Sequence, residues 1–120
     1  MRESEPGRSI CEAAIVAQDV AAIAAMLDPE VIWYGEHDRL RGQGSEAVLD
    51  CARDRIAGGV LSGAELTTWE RFGDRVVIGV RLAAEGRPER VFLCRLAADR
   101  IVEVRDCVSR DEAVARLDAR

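Results

Sequence analysis

The chain has 120 residues, which is enough for one domain with a single core and too few for two. Its formal net charge of −5 argues against a nucleic-acid partner, because phosphate binding requires a basic face. All 17 basic residues are arginine, so no lysine is present for Schiff-base chemistry. No apolar run approaches the roughly 18 residues of a membrane span, and the N-terminal residues are polar and acidic. These features predict a cytoplasmic protein without a membrane partner.

The N-terminal part of the chain predicts two helices and then a strand. Residues 1–8 are predicted to be a tail that precedes a domain over residues 9–120. The spacing of a capping box predicts a first helix over residues 9–17, with a buried alanine-rich face. Asp19 is a candidate N-cap for a second helix, which ends at an Asp-Pro pair. Residues 31–34 are β-branched and aromatic, as is typical of a strand.

The remainder of the chain predicts a helix, a β-meander and a last helix. Residues 35–44 are rich in glycine and are predicted to be a loop, after which Ser45 caps a third helix that a Gly-Gly pair ends. Alternating apolar residues predict strands over residues 65–70, 75–84, 89–97 and 100–108. A second capping box, from Ser109 to Glu112, opens the last helix. This order predicts an α+β fold in which helices cover one face of a curved sheet.

The last predicted strand contains the strongest functional candidate, Asp106. Alternation along the strand places Asp106 on the same face as Val102, Val104 and Val108. A carboxylate on an apolar face is costly unless it is paired, neutralised or used in chemistry. Asp106 is therefore either an acid/base or ligand-orienting group, or a structural carboxylate bonded to backbone N–H groups or to an arginine.

The cysteines and the single histidine do not have the spacing of a metal site. Cys11, Cys51, Cys94 and Cys107 form no C-x-x-C pair, and each lies in an apolar stretch. We expect them to be small buried apolar residues, with no disulfide in a reducing cytosol. With His37 as the sole histidine, a zinc site would need unusual distant ligands, so no metal and no cofactor are predicted.

Four motifs in this order resemble the SnoaL-like branch of the nuclear transport factor two-like superfamily. They are Gln18-Asp19, Leu27-Asp28-Pro29-Glu30-Val31-Ile32-Trp33, Arg41-Gly42-Gln43-Gly44-Ser45-Glu46-Ala47-Val48 and Asp99-Arg100-Ile101-Val102-Glu103-Val104-Arg105-Asp106. The resemblance covers about residues 9–117. It implies a cone-shaped α+β fold, in which helices pack on the concave face of a curved, mainly antiparallel sheet. The superfamily includes polyketide cyclases, ketosteroid isomerases, limonene epoxide hydrolases, dehydratases and non-enzymatic binding domains, so the fold does not decide the function.

The resemblance also implies a pocket at the open end of the cone, lined by alternate strand residues. Read with this template, the inward-facing residues are Val31, Trp33, Ile78, Val80, Leu82, Phe92, Cys94, Leu96, Val102, Val104, Asp106 and Val108. The predicted ligand contacts are Trp33, Phe92, Cys94, Val104, Val108 and Cys11, around a small apolar molecule. The predicted catalytic residues are Asp106 and His37, with His37 in the loop at the mouth of the pocket.

Comparison with known members of the superfamily narrows the chemistry. The base position of steroid isomerases falls on Trp33 and the positions of their proton donors on Cys11 and Phe92, so that activity is not expected. Epoxide hydrolases of the superfamily use an Asp-Arg-Asp set. This chain offers only Asp106 as a member of such a set, so that activity is not expected either. SnoaL-type polyketide cyclases have an inward aspartate on the last strand, as Asp106 is here. The matching histidine of that family would fall at or near Phe92.

Two hypotheses for the function remain open from the sequence. The first is a cofactor-free cyclase, isomerase or hydrolase that uses Asp106 as acid/base on an apolar carbonyl metabolite. The second is a non-catalytic module for ligand binding or dimerisation, in which Asp106 only orients a ligand. An Asp106 inside the cavity and more than a hydrogen bond from any arginine would favour the first.

A homodimer is predicted from the outward-facing side of the same strands. A lone domain rarely leaves a large apolar patch in water, so such a patch predicts an interface between two copies. The outward apolar residues of the meander are Val77, Ala83, Val91, Leu93 and Ile101.

Overall fold

The computed structural model describes residues 6–59, 63–82 and 89–117, without the side chains of residues 6, 7, 9, 10 and 16. Its helices are α1 (Pro6–Ala17), α2 (Val20–Met26), α3 (Ser45–Ala57) and α4 (Arg110–Leu117). Its strands are β1 (Leu27–Tyr34), β2 (Leu40–Gln43), β3 (Glu65–Phe72), β4 (Arg75–Arg81), β5 (Arg90–Ala97) and β6 (Arg100–Cys107). A short 3-10 turn, Glu36–Asp38, lies between β1 and β2. Within the described ranges, no helix is long and apolar enough to cross a membrane.

The strands form one six-stranded mixed sheet in the order β2-β1-β6-β5-β4-β3. The strands β1 and β6 run parallel, and all other neighbours are antiparallel. This arrangement confirms the predicted α+β class. The predicted loop over residues 35–44 is wrong in its second half, because Leu40–Gln43 forms the edge strand β2. This strand lacks an apolar alternation, and its formation depends on backbone pairing with β1.

Helices α2 and α4 have the N-caps that the sequence predicts, because each cap bonds to N–H groups two or three residues away. The side chain of Asp19 accepts hydrogen bonds from the N–H groups of Ala21 and Ala22, which confirms the predicted cap of α2. At α4, the Ser109 hydroxyl accepts from the N–H of Glu112, as the second capping box predicts.

Two other predicted starts are wrong. Helix α1 begins at Pro6 and not at residue 9, because proline is well tolerated in the first turn of a helix. Helix α3 has Gly44 as its N-cap, with a φ of 91°, and Ser45 is already its first helical residue. The predicted alanine-rich face of α1 is right at Ala14, which is buried, but Ala13 and Ala17 are exposed and Cys11 is buried instead.

The sheet is covered by helices on both faces, which corrects the expectation that all helices share one face. The main core lies between α1–α3 and what we call the inner face, which carries Val31, Trp33, Ile78 and Cys94. Helix α4 packs on the opposite, outer face. The buried residues of this second core are Val77, Val91, Leu93, Cys107 and Ala113. A strand such as β4 that is apolar on both sides requires this double cover.

Because α4 covers the outer face, most of the apolar residues from which the dimer was predicted are not available to a second copy of the chain. Val77, Val91 and Leu93 are buried against α4 of the same chain. Ile101 faces the main core, because a bulge at Val102 reverses the alternation of β6 at that point. Ala83 and the predicted turn over residues 85–88 lie outside the described residues. Homodimerisation stays a prediction, and it would require a surface other than this patch.

The packing of α4 can be tested at Ala113, which is fully buried. We expect Ala113→Glu to lower the free energy of unfolding by about 2–3 kcal/mol, because a larger, charged side chain would have to enter a packed apolar contact. Ala115 on the same helix is exposed, and Ala115→Glu should change stability by less than about 0.5 kcal/mol. Urea unfolding of both variants measures the difference. Equal midpoints for the two variants would show that α4 does not cover the sheet.

Candidate functional site

The Asp106 carboxylate is buried on β6, with 8% of the residue exposed, and both of its oxygens are bonded. The indole Nε1 of Trp33 donates to Oδ1 over 2.6 Å, and Nη1 of Arg41 donates to Oδ2 over 3.0 Å. The Arg41 guanidinium also lies over the Trp33 ring, 4.6 Å from its centroid. These three side chains therefore form one closed cluster, which we call the Asp106 cluster.

Three neighbouring strands position the Asp106 cluster. Trp33 lies opposite Gly42 of β2 on one side and beside Val104 of β6 on the other. Asp106 follows Val104 by two residues and so points to the same face of the sheet. Gly35 provides the space for Arg41, since a Cβ at that position would lie 2.7 Å from the Arg41 Cδ. A larger residue at position 35 would push Arg41 away from the carboxylate.

Asp106 and Arg41 face a polar cleft of about 520 Å³ at the end of the sheet. The cleft is lined by Gly35, Glu36, His37, Arg39, Arg41, Arg90 and Asp106. The 3-10 turn brings Glu36 and His37 to it, with His37 exposed and in a left-handed conformation at a φ of 64°. A hydrogen bond from Gly35 N to the Arg39 carbonyl closes this turn. The two predicted catalytic residues, Asp106 and His37, therefore line the same cleft.

An apolar cavity lies on the other side of Trp33, between the inner face and helices α1–α3. It has two adjoining parts, of about 190 and 140 Å³, which share five lining residues: Ile15, Trp33, Arg55, Val80 and Phe92. The charged side chains among its described lining residues are Arg55 and Arg90. Arg90 also lines the polar cleft, so that the two spaces meet at this side chain.

The structure places most of the predicted ligand contacts around this cavity. Cys11, Trp33, Phe92, Cys94 and Val104 line it, and their contact with a ligand stays a prediction. The predicted inward orientation of Val108 is wrong: the residue is 65% exposed and lies beyond the end of β6 at Cys107. The alternation of a strand does not continue once its pairing has ended.

The two cysteines that line the cavity, Cys11 and Cys94, are poorly reactive. Burial raises the pKa of the Cys11 thiol to about 11 and raises that of Cys94 still further. Both thiols are therefore protonated at neutral pH and are poor nucleophiles. Within the described ranges, no three His, Cys, Asp or Glu side chains come together as metal ligands would.

Sequence reasoning missed the arginines of the site. Arg41 lies in the stretch that was predicted to be a loop, and only the pairing of β2 with β1 aims it at Asp106. Arg55 and Arg90 lie near the ends of apolar elements, where a charge is ordinarily solvated. Tyr34 faces away from the cavity and stacks on Arg105 at 4.3 Å.

The comparisons with known proteins support the fold and do not assign an activity. No protein-family model matches the sequence, and no curated protein matches it at a significant level. Solved structures do match. An NTF-2 like protein of unknown function from Burkholderia xenovorans is 16% identical, with a TM-score of 0.70 over 84% of this chain and 78% of its own.

Two other similar structures have more specific descriptions. A protein from Sinorhizobium meliloti, provisionally named a polyketide cyclase, is 16% identical, with a TM-score of 0.65 over 87% of this chain and 95% of its own. A protein from Catenulispora acidiphila with a ketosteroid isomerase-like fold, in complex with trimethylamine, is 16% identical, with a TM-score of 0.64 over 94% of this chain and 92% of its own. The chain therefore has the nuclear transport factor two-like fold that the sequence predicts.

Proposed function

We propose that this protein binds a small molecule with an apolar body and an anionic end. The observation that carries the proposal is the apolar cavity, which Arg55 and Arg90 line with their aliphatic stems and which meets the polar cleft at Arg90. The anionic end would lie in the cleft, where the planar guanidinium groups of Arg39 and Arg41 offer paired donors that match a carboxylate or an enolate. The aromatic rings of Trp33 and Phe92 supply flat apolar surface for the rest of the ligand.

The size of the cavity limits the ligand. Its two parts, about 190 and 140 Å³, together reach the lower end of the roughly 300–1,000 Å³ that small-molecule sites occupy. A ligand longer than the cavity would extend past Arg90 into the polar cleft. We therefore favour a compact monocyclic or short-chain acid over a large polycyclic molecule.

The surroundings of Asp106 favour the binding hypothesis over the catalytic one. A free acid/base was expected to lie more than a hydrogen bond from any arginine, and Arg41 lies 3.0 Å away. Trp33 donates to the other oxygen, so the carboxylate fixes the Trp33 ring between the cavity and the cleft and orients the Arg41 guanidinium. This role is positional and requires no proton transfer.

A second candidate function, acid/base catalysis on a carbonyl compound, draws on one observation. Asp106 and His37 line the same cleft, so a substrate there could meet both groups. In this scheme Asp106 removes a proton from the carbon beside the carbonyl once the substrate has displaced Arg41. Incubation of the bound molecule with wild-type protein, followed by mass spectrometry, would give a product of changed structure. An unchanged molecule would leave binding as the function.

The binding proposal can be tested by filling the cavity. Ala52 of α3 lines it, whereas Ala57 ends the same helix and is exposed. We expect native mass spectrometry to detect a copurified small acid on the wild-type protein and on Ala57→Leu, and to lose it on Ala52→Leu. Leucine and alanine have similar helix propensities, so both variants should remain folded.

Binding assays with a simple aromatic acid, benzoate, extend the test to protein from which the native ligand has been removed. Ala52→Leu should weaken benzoate binding at least tenfold, and Ala57→Leu should leave it within twofold. Equal affinity in both variants would contradict the proposal.

A further inference from the structure

The outer face of the sheet carries a further pocket, distinct from the cavity and the cleft. It has a volume of about 290 Å³ and its charged lining residues are Asp38, Arg75, Arg95, Glu103, Arg105 and Arg116. Four arginines thus face two carboxylates in a chain whose net charge is −5. The pocket concentrates positive charge on a protein that is otherwise acidic.

Two of these arginines face each other across neighbouring strands. Arg75 of β4 lies directly opposite Arg95 of β5, and Arg95 lies opposite Glu103 of β6. Like charges in directly opposite positions destabilise a sheet. Arg95 contacts Glu103 at 3.7 Å, but the Arg75 side chain makes no hydrogen bond or ion pair to any of the residues that the structure describes. An anion beside Arg75 and Arg95 would relieve this repulsion.

The other two arginines converge on a single oxygen. Nη1 of Arg105 and Nη1 of Arg116 both donate to Oδ1 of Asp38, over 2.7 and 3.1 Å. They come from β6 and α4, so the pocket lies between the sheet and the last helix. The Asp38 side chain is 57% exposed and lies in a turn, where water can replace its contacts. The Asp38 carboxylate is therefore an anion of the chain itself that a bound anion can displace from Arg105 and Arg116.

We propose that this outer pocket binds a phosphate group. Arginines outnumber carboxylates by two in the lining, and Glu112, which lies 3.9 Å from Arg116, offsets one of these two charges. The remaining surplus is positive and favours an anion. Tetrahedral phosphate oxygens also accept the paired donors of several guanidinium groups at once. Bound phosphate competes with Asp38 for Arg105 and Arg116 and approaches Arg75 directly. This inference does not depend on the proposed function, because the pocket lies on the opposite face of the sheet.

Calorimetric titration of the full chain with inorganic phosphate at low ionic strength tests the site. Wild-type protein should bind one phosphate saturably. Arg75→Gln and Arg116→Gln should each weaken binding at least fivefold. Asp38→Asn should tighten it at least threefold, because it removes the competing carboxylate.

Arg81→Gln is the matched control and should leave the affinity within twofold. Arg81 ends the same strand as Arg75 and is paired with Glu65, away from the pocket. Arg75→Lys keeps the charge without the planar fork and should lie between wild type and Arg75→Gln. Circular dichroism and thermal melts check that each variant is folded.

The source of the phosphate group is distinguished by a parallel titration with glycerol 3-phosphate. Tighter binding of glycerol 3-phosphate than of inorganic phosphate supports a phosphorylated metabolite, and the reverse order supports the free anion. Absence of saturable binding for both would overturn the proposal. An equal loss in Arg75→Gln and Arg81→Gln, or unchanged affinity in Asp38→Asn, would also overturn it.

Discussion

Replacing Asp106 with asparagine should lower the free energy of unfolding by about 1–3 kcal/mol, because it removes the charged acceptor of the partly exposed Arg41 guanidinium. The amide oxygen can still accept from the Trp33 indole, but the amide NH₂ group would then face the guanidinium of Arg41. For a chain of this length the expected fall in Tm is about 4–12 °C. Thermal melts at pH 7 measure it.

Asp50 provides the matched control for this experiment. It forms an ion pair with Arg53 at 3.0 Å, as Asp106 does with Arg41, but its side chain is 72% exposed. Asp50→Asn should change stability by less than about 0.5 kcal/mol, because exposed ion pairs contribute little. A Tm for Asp106→Asn equal to or above wild type would contradict the structure. That result would indicate a carboxylate surrounded only by apolar groups, and it would restore the catalytic hypothesis.

Replacing Trp33 with aspartate should have the largest effect of any single change in the site. Loss of the buried ring costs about 3–5 kcal/mol. The new carboxylate is desolvated beside Asp106, which adds to that cost. Since small domains are stable by only about 5–15 kcal/mol, we expect Trp33→Asp to lose most or all of its cooperative unfolding transition. Differential scanning calorimetry is the direct measurement.

A milder series separates the hydrogen bond of Trp33 from its packing. Trp33→Phe keeps an aromatic ring and removes the N–H donor to Asp106. Trp69 offers the same substitution without that loss, because its buried Nε1 has no hydrogen-bond partner among the described residues. We expect Trp33→Phe to be less stable than Trp69→Phe by about 1 kcal/mol. Equal stabilities would show that the Asp106 bond contributes nothing.

Local sequence signals predicted the meander and the caps of α2 and α4 because their causes are local. The alternation over β4, β5 and β6 and the short turns between them define strands whatever the rest of the chain does. The Asp19 cap depends on N–H groups two and three residues away. The same argument does not extend to β2, whose residues gain their strand structure from pairing with β1.

Tertiary packing decided which face of the sheet α4 covers and which face Ile101 lies on. The apolar face of α4 is visible in the sequence, but an apolar outer face on β4 and β5 was equally compatible with a second copy of the chain. The bulge at Val102 turns Ile101 inward, because β6 has one residue more than β5 between the paired positions Arg95–Glu103 and Leu96–Ile101. Such a bulge depends on how two strands pair, so the sequence of either strand alone does not predict it.

By itself, the sequence determined the fold class, the position of Asp106 on the face shared with Val104 and about half of the lining of the apolar cavity. The spacing of apolar residues sets the side of a strand on which each residue lies, and the family resemblance implied which side faces the cavity. The tertiary structure alone decided that Asp106 is paired, since Arg41 comes from an edge strand 65 positions away in the chain. The partner of a buried charge is a property of the folded neighbourhood, because the cost of burying the charge selects whichever donor the packing brings within reach.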